Sequence, residues 1–147
     1  MSVANREDQT RRLIYELQLM QGTADTLQQR LAILQNALAD LRVAEESLKG
    51  LGETEEGSPI LIPMGGGTLV NAQLGDTSKV IINIGAEVSI DMPLEDAQKN
   101  VADRLEDVEK TNTSVEQQLQ QLLAQMEVHR DGINRLSAQI RGEAQGV

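Results

Sequence analysis

Residues 13–48 read LIYELQLMQGTADTLQQRLAILQNALADLRVAEESL, and the spacing of the apolar residues in this stretch decides the fold. They recur alternately four and three apart, at Leu13, Leu17, Met20, Ala24, Leu27, Leu31, Leu34, Leu38 and Leu41, then past Glu45 to Leu48. A repeat of about 3.5 residues keeps one apolar stripe facing a partner helix, which is the seam of a coiled coil. Leu17, Ala24, Leu31 and Leu38 take the a positions, while Met20, Leu27, Leu34 and Leu41 take the d positions. Glu45 falls at a further a position, near the helix end. The pattern predicts a helix from about Asn5 to about Lys49, stopped by Gly50 and Gly52.

The same rhythm returns at Leu94, Val101, Leu105, Val108, Asn112, Val115, Leu119, Leu122, Met126, His129, Ile133, Leu136 and Ile140. Asp91 is placed to cap this second helix, and Pro93 suits an early position where its missing N–H matters least. The helix is expected from about Pro93 to about Arg141. Two matched segments flanking one insertion fold most simply back on each other as an antiparallel pair. Two separate helices, each joining a partner chain, are the alternative.

Between the helices the period changes to two. Ile60-Leu61-Ile62-Pro63 and Thr68 to Gln73 flank Gly65-Gly66-Gly67, and Lys79 to Ile84 and Glu87 to Ile90 flank Gly85-Ala86. These are two β-hairpins, with Pro63 expected near a strand end or edge because it cannot donate to a ladder. Four short strands leave open edges and a small apolar face, which is unstable alone. They are therefore expected to pair with other subunits through Ile60, Leu61, Ile62, Leu69, Val70, Val80, Ile81, Ile82, Ile84, Val88 and Ile90. The fold class is α+β: a long antiparallel two-helix coiled-coil hairpin with two β-hairpins at the helix-connecting end that join an intersubunit barrel. One elongated domain is expected, comprising a first helix (1–52), a β assembly region (53–92) and a second helix (93–147).

Composition narrows the function. The chain has no Cys, Trp or Phe and one aromatic residue, Tyr15, so burial must come from Leu, Ile, Val, Ala and Met, as a thin helical seam allows. A net charge of −10 repels phosphate backbones, and no aromatic array is present to stack bases, so nucleic acid is not an expected partner. No stretch approaches the run of about 20 apolar residues that spans a bilayer, and Met1 to Glu7 lacks an apolar leader. A cytoplasmic protein without disulfides or membrane partner is the expectation.

Catalytic and cofactor readings find little support. Gly65-Gly66-Gly67-Thr68 lacks the Gly-Lys-Ser/Thr ending of a phosphate loop and leads into a strand rather than a helix. His129, the single histidine, falls at a d position with no Cys or second His to share a metal, and reads as a tolerated polar residue in the seam. Asn112 at an a position is of the kind that fixes register. The carboxylate runs Glu53-Thr54-Glu55-Glu56 and Glu106-Asp107-Val108-Glu109 read as solvated surface. One histidine so placed cannot build a Ser/His/Asp triad, so no enzyme and no cofactor are expected.

The informative residues are apolar side chains outside the seam. Ile14, Tyr15 and Leu19 occupy e, f and c positions, and Leu123 and Val128 occupy e and c, where a solvated pair calls for polar groups. Folding the helices back places Ile14 level with His129 and Leu19 level with Ala124. The off-seam residues then converge near the open end of the hairpin, as an interaction patch would. Ile33 and Val43 show that lone apolar residues also occur elsewhere on the surface.

Three stretches set between heptad helices resemble a known family: Ile60 to Gly67, Val80 to Gly85, and Leu94-Glu95-Asp96-Ala97. The chain resembles an alpha-type subunit of archaeal prefoldin, two hairpins favouring alpha over beta. The resemblance implies an assembly of two alpha and four beta-type subunits around a double β-barrel. It implies a holding chaperone, working without ATP, that captures unfolded proteins at the coiled-coil tips and passes them to a group II chaperonin. The tip positions it implies are Leu13 to Leu19 and Ile133 to Ile140, which with the off-seam cluster gives Leu13, Ile14, Tyr15, Leu17, Leu19, Leu123, Val128, Ile133, Leu136 and Ile140. A structural spacer or tether without client binding is the competing expectation.

Overall fold

A computed structural model describes residues 2–146, and its elements run α1 (Val3–Gly52), β1 (Pro59–Gly65), β2 (Thr68–Gln73), β3 (Lys79–Gly85), β4 (Val88–Pro93) and α2 (Leu94–Gln145). Contacts divide the chain into two compact units, one formed by residues 36–109 and the other by the chain up to Gln35 with the chain from Lys110 onward.

The 36–109 unit holds the four strands and the facing parts of both helices. Its core is Leu38, Leu41 and Leu48 of α1 against Ala97, Val101 and Leu105 of α2. Val80, Ile82 and Met92 from β3 and β4 pack on that core, as do Ala44, Leu51 and Leu94. The pair is antiparallel here: Arg42 meets Glu109 at 3.6 Å, and the Gln98 amide donates to the Leu48 carbonyl at 3.4 Å. Ala44 rather than Glu45 turns inward, and Glu45 is exposed. A carboxylate at the predicted a position would lose hydration, so the inward turn is made by a neighbouring methyl group instead.

The end of α1 and the cap of α2 differ from the predicted ones. α1 runs through Gly50 to Gly52, because Leu51 reaches the core and rewards the extra turn. Its end is then closed by Glu53 N–H donating to Gly50 and Thr54 N–H to Leu51, with the Thr54 hydroxyl also donating to Gly50 at 2.6 Å. At α2, Asp91 and Pro93 lie in β4, paired with Ile81 and Lys79, and the helix starts at Leu94. The Leu94 N–H donates to the Ser78 carbonyl at 3.0 Å, so a backbone group beside β3 satisfies the first orphan donor in place of an Asp91 cap.

The strands form two separate two-stranded antiparallel sheets, β1–β2 and β3–β4. Both hairpins are closed by the same device. Pro63 pairs with Leu69 and Gly65 with Thr68 across a bulge at Met64, and Asn83 pairs with Ser89 and Gly85 with Val88 across a bulge at Ile84. Gly65, Gly66 and Gly67 take positive φ in the first turn, and Gly85 (113°), Ala86 (49°) and Glu87 (62°) take it in the second. Asn83 Oδ1 accepts from Gly85 N–H at 2.8 Å and braces that turn.

The remaining unit is the helix pair alone. Ala24 and Leu27 of α1 and Val115, Met126 and Leu136 of α2 are its buried apolar residues, all at predicted seam positions. No helix among the described residues is long and apolar enough to cross a membrane.

Candidate functional site

Exposed apolar side chains gather on two surfaces, one in each unit. In the helix-pair unit, Ile14, Tyr15, Leu19, Leu123 and Val128 are all exposed, from 40% for Ile14 to 67% for Val128. The other five predicted tip residues lie in the seam and are less exposed: Leu13, Leu17, Ile133 and Ile140 are half-buried and Leu136 is buried. Leu13, Val128 and Leu136 line one open groove of about 420 Å³, rimmed by Gln9, Arg135 and Gln139. Ile14, Tyr15, Leu19 and Leu123 lie outside it. At Gly132, which also lines the groove, an added Cβ would stand 3.3 Å from Leu13 Cδ1, so the glycine lets Leu13 approach α2 closely.

The helices are offset by about half a turn from the predicted alignment. Glu16, not Ile14, faces His129, and Leu13 meets Gly132. Heptad spacing fixes which face of each helix is inward and leaves open how far one helix slides along the other.

Glu16 is the residue that sequence reasoning missed. Its Oε2 lies 2.9 Å from His129 Nε2, while its Oε1 accepts from Arg12 Nε at 3.1 Å. His129 Nδ1 lies 3.0 Å from the Gln125 carbonyl, and the ring is only 18% exposed. The contact with Glu16, then the Gln125 carbonyl, raises the His129 pKa above its usual value. The His129 contact, then Arg12, lowers that of Glu16. A glutamate at a g position opposite a d-position histidine was the available signal. Arg6 also bridges to Glu143 across the pair. Asn112 donates to Glu116 at 3.0 Å along its own helix, leaving its buried Oδ1 without a partner among the described residues.

In the other unit, both sheets expose apolar side chains. Leu61, Ile62, Leu69 and Val70 of the first and Ile81, Ile84, Val88 and Ile90 of the second are exposed, Ile81 at 73%. Ile60, Val80 and Ile82 are half-buried, and Val80 and Ile82 are engaged by the chain's own core. With two strands per sheet, every strand keeps one unpaired edge. Gly65-Gly66-Gly67 forms the hairpin turn, with no helix following it. Among the described residues no group of three His, Cys, Asp or Glu is gathered to hold a metal ion.

Comparison with known proteins agrees with this architecture. The model of the prefoldin subunit family matches residues 20–139. The prefoldin subunit alpha of Methanopyrus kandleri is 28% identical over 113 residues, covering 77% of this chain and 72% of the relative. That of Methanoculleus marisnigri is 31% identical over 122 residues, covering 82% and 78%. A filamentous PFD from Methanocaldococcus jannaschii, solved by cryo-EM, shares the fold with a TM-score of 0.64 at 24% identity, covering 76% of this chain and 92% of that one.

Proposed function

The chain belongs to the prefoldin family, as an alpha-type subunit of the archaeal kind, and from that premise we propose that it is one arm of an ATP-independent holding chaperone. Its helix-pair unit captures unfolded polypeptides, and its β-hairpins join beta-type subunits, two alpha to four beta. Captured chains pass to a group II chaperonin in the cytoplasm.

The observation that carries this reading is the exposure of Ile14, Tyr15 and Leu19 on one helix and Leu123 and Val128 on the other, outside a seam that has no use for them. Unfolded chains present apolar side chains in no fixed order. A few such residues on one arm bind weakly, each contributing at most about 1.5 to 3 kcal/mol when covered. Several arms held in one assembly multiply the affinity without new contacts. The open β edges and the exposed Leu61, Leu69, Ile81 and Val88 supply the joining surface. Release then proceeds by competition and transfer, since a Gly-rich turn is no nucleotide site.

Replacing Ile14, Tyr15 and Leu19 together by Ser tests capture. The assembled complex should keep its mass and lose most of its suppression of client aggregation. A correctly assembled variant that suppresses as well as the parent would leave these residues as spacer surface, in the same class as Ile33 and Val43, which are also exposed.

A further inference from the structure

The two nitrogens of His129 both face groups that only accept hydrogen bonds. Nδ1 is 3.0 Å from the Gln125 carbonyl, and Nε2 is 2.9 Å from the Glu16 carboxylate. A neutral imidazole carries one N–H and satisfies one of these; its other nitrogen then points a lone pair at an oxygen. Only the imidazolium donates to both. The charge of the ring is answered by Glu16, which is itself held by Arg12.

We propose that the Glu16–His129 contact is a proton-operated clamp on the helix pair, held when His129 is protonated and weakened when it is not, which regulates access to the apolar seam beside it. Weakening leaves Glu16 to Arg12 and loosens α1 from α2 where Leu13 and Leu17 are half-buried and Leu136 is buried. Those three side chains then add to the exposed patch. This regulatory role rests on the client binding proposed above; the clamp itself does not.

The position is suited to such a device. His129 occupies a d position where the neighbouring seam layers hold Met126, Ile133 and Leu136, so the proton controls a layer of the pair rather than a surface side chain. Two helices alone pack here. From α1 the ring faces Glu16, with Arg12 behind it; from α2, Arg135 lines the same groove, and the adjacent Arg130 is paired with Glu127 at 3.6 Å, beside Asp131. Glu16 first, then the Gln125 carbonyl, raise the ring's pKa, so the change of state lies above the usual histidine value.

His129 is the chain's one histidine, so with only this chain isotope-labelled, its ring proton signal in the complex assembled with beta-type subunits reports this site alone. The titration midpoint should lie above about 6.5, and Glu16→Gln should lower it. Amide protection at residues 13–17 and 126–136, corrected for intrinsic exchange, should fall several-fold as pH rises through that midpoint, and stay flat in His129→Gln. A midpoint at or below 6.5, or protection with the same pH dependence in His129→Gln, would overturn the clamp. Aggregation suppression measured alongside should rise as protection falls; suppression unchanged across the transition overturns the regulatory role. Absence of suppression at every pH, with titration and protection behaving as stated, instead counts against client capture.

Discussion

The two units solve the same packing problem with different chemistry. Residues 36–109 join helices and strands over a wholly apolar core and carry fifteen acidic against five basic residues. The remaining residues pack a seam interrupted by Asn112 and His129, and carry eight of each sign. The entire net charge of −10 therefore resides in one unit. An apolar core tolerates a repelling surface because burial far outweighs screened repulsion between exposed carboxylates. A polar-interrupted seam depends on specific pairs, and it is this unit that bears the proposed client site. The difference teaches that the strand-bearing unit is built for permanence and the helix pair for adjustment.

The contrast should break most visibly at the anchor. Leu41→Ala removes a buried leucine from the strand-bearing core and should lower stability by about 2 to 5 kcal/mol in urea unfolding, whereas the same truncation at half-buried Leu17 should lose markedly less. Equal losses would erase the distinction. Asn112→Leu should make the pair more like the anchor, gaining about 1 kcal/mol by removing a buried acceptor without a partner, and exchange in the pair should slow accordingly.

Smaller effects sharpen the comparison. Glu87 holds a left-handed conformation that its Cβ disfavours, so Glu87→Gly should stabilise the second hairpin by about 0.5 to 1 kcal/mol, seen as a higher melting temperature. Gly66→Ala in the equivalent first turn should do the reverse. The smallest effect is the pH dependence of the helix pair. His129 is raised above its usual 6.5, so its contribution is full below that pH and is lost as pH climbs through the raised value. Glu16 is lowered from 4.5, so its contribution is full above that pH and is lost as pH falls through the lowered value. Thermal unfolding should show the pair most stable between the two, and His129→Leu should abolish the upper limb.

Much of this was legible in the sequence. The inward residues of the helix pair, from Leu13 to Leu41 and from Val101 to Ile140, follow from spacing alone, because a repeat of seven admits one apolar stripe. Both hairpins were marked by Gly65 to Gly67 and by Gly85-Ala86. What spacing could not supply was anything that depends on a second element. The axial offset that brings Glu16 to His129, the inward turn of Ala44 in place of Glu45, and the engagement of Val80 and Ile82 by helices all arise from packing between segments distant in sequence. The cap of α2 was misassigned for the same reason, since Ser78 rather than Asp91 satisfies Leu94. The exposed residues Ile14, Tyr15, Leu19, Leu123 and Val128 were found as violations of the pattern.

The aromatic poverty of the chain has a practical side. With no Trp and a single Tyr, its near-ultraviolet emission arises from one phenol ring, and that ring, Tyr15, is 62% exposed among the residues proposed to meet clients. A client lacking Tyr and Trp is dark at those wavelengths. In a complex whose other subunits are likewise free of them, every change in emission upon mixing reads the surroundings of one side chain, so the molecule carries its own label where a label would otherwise have to be installed.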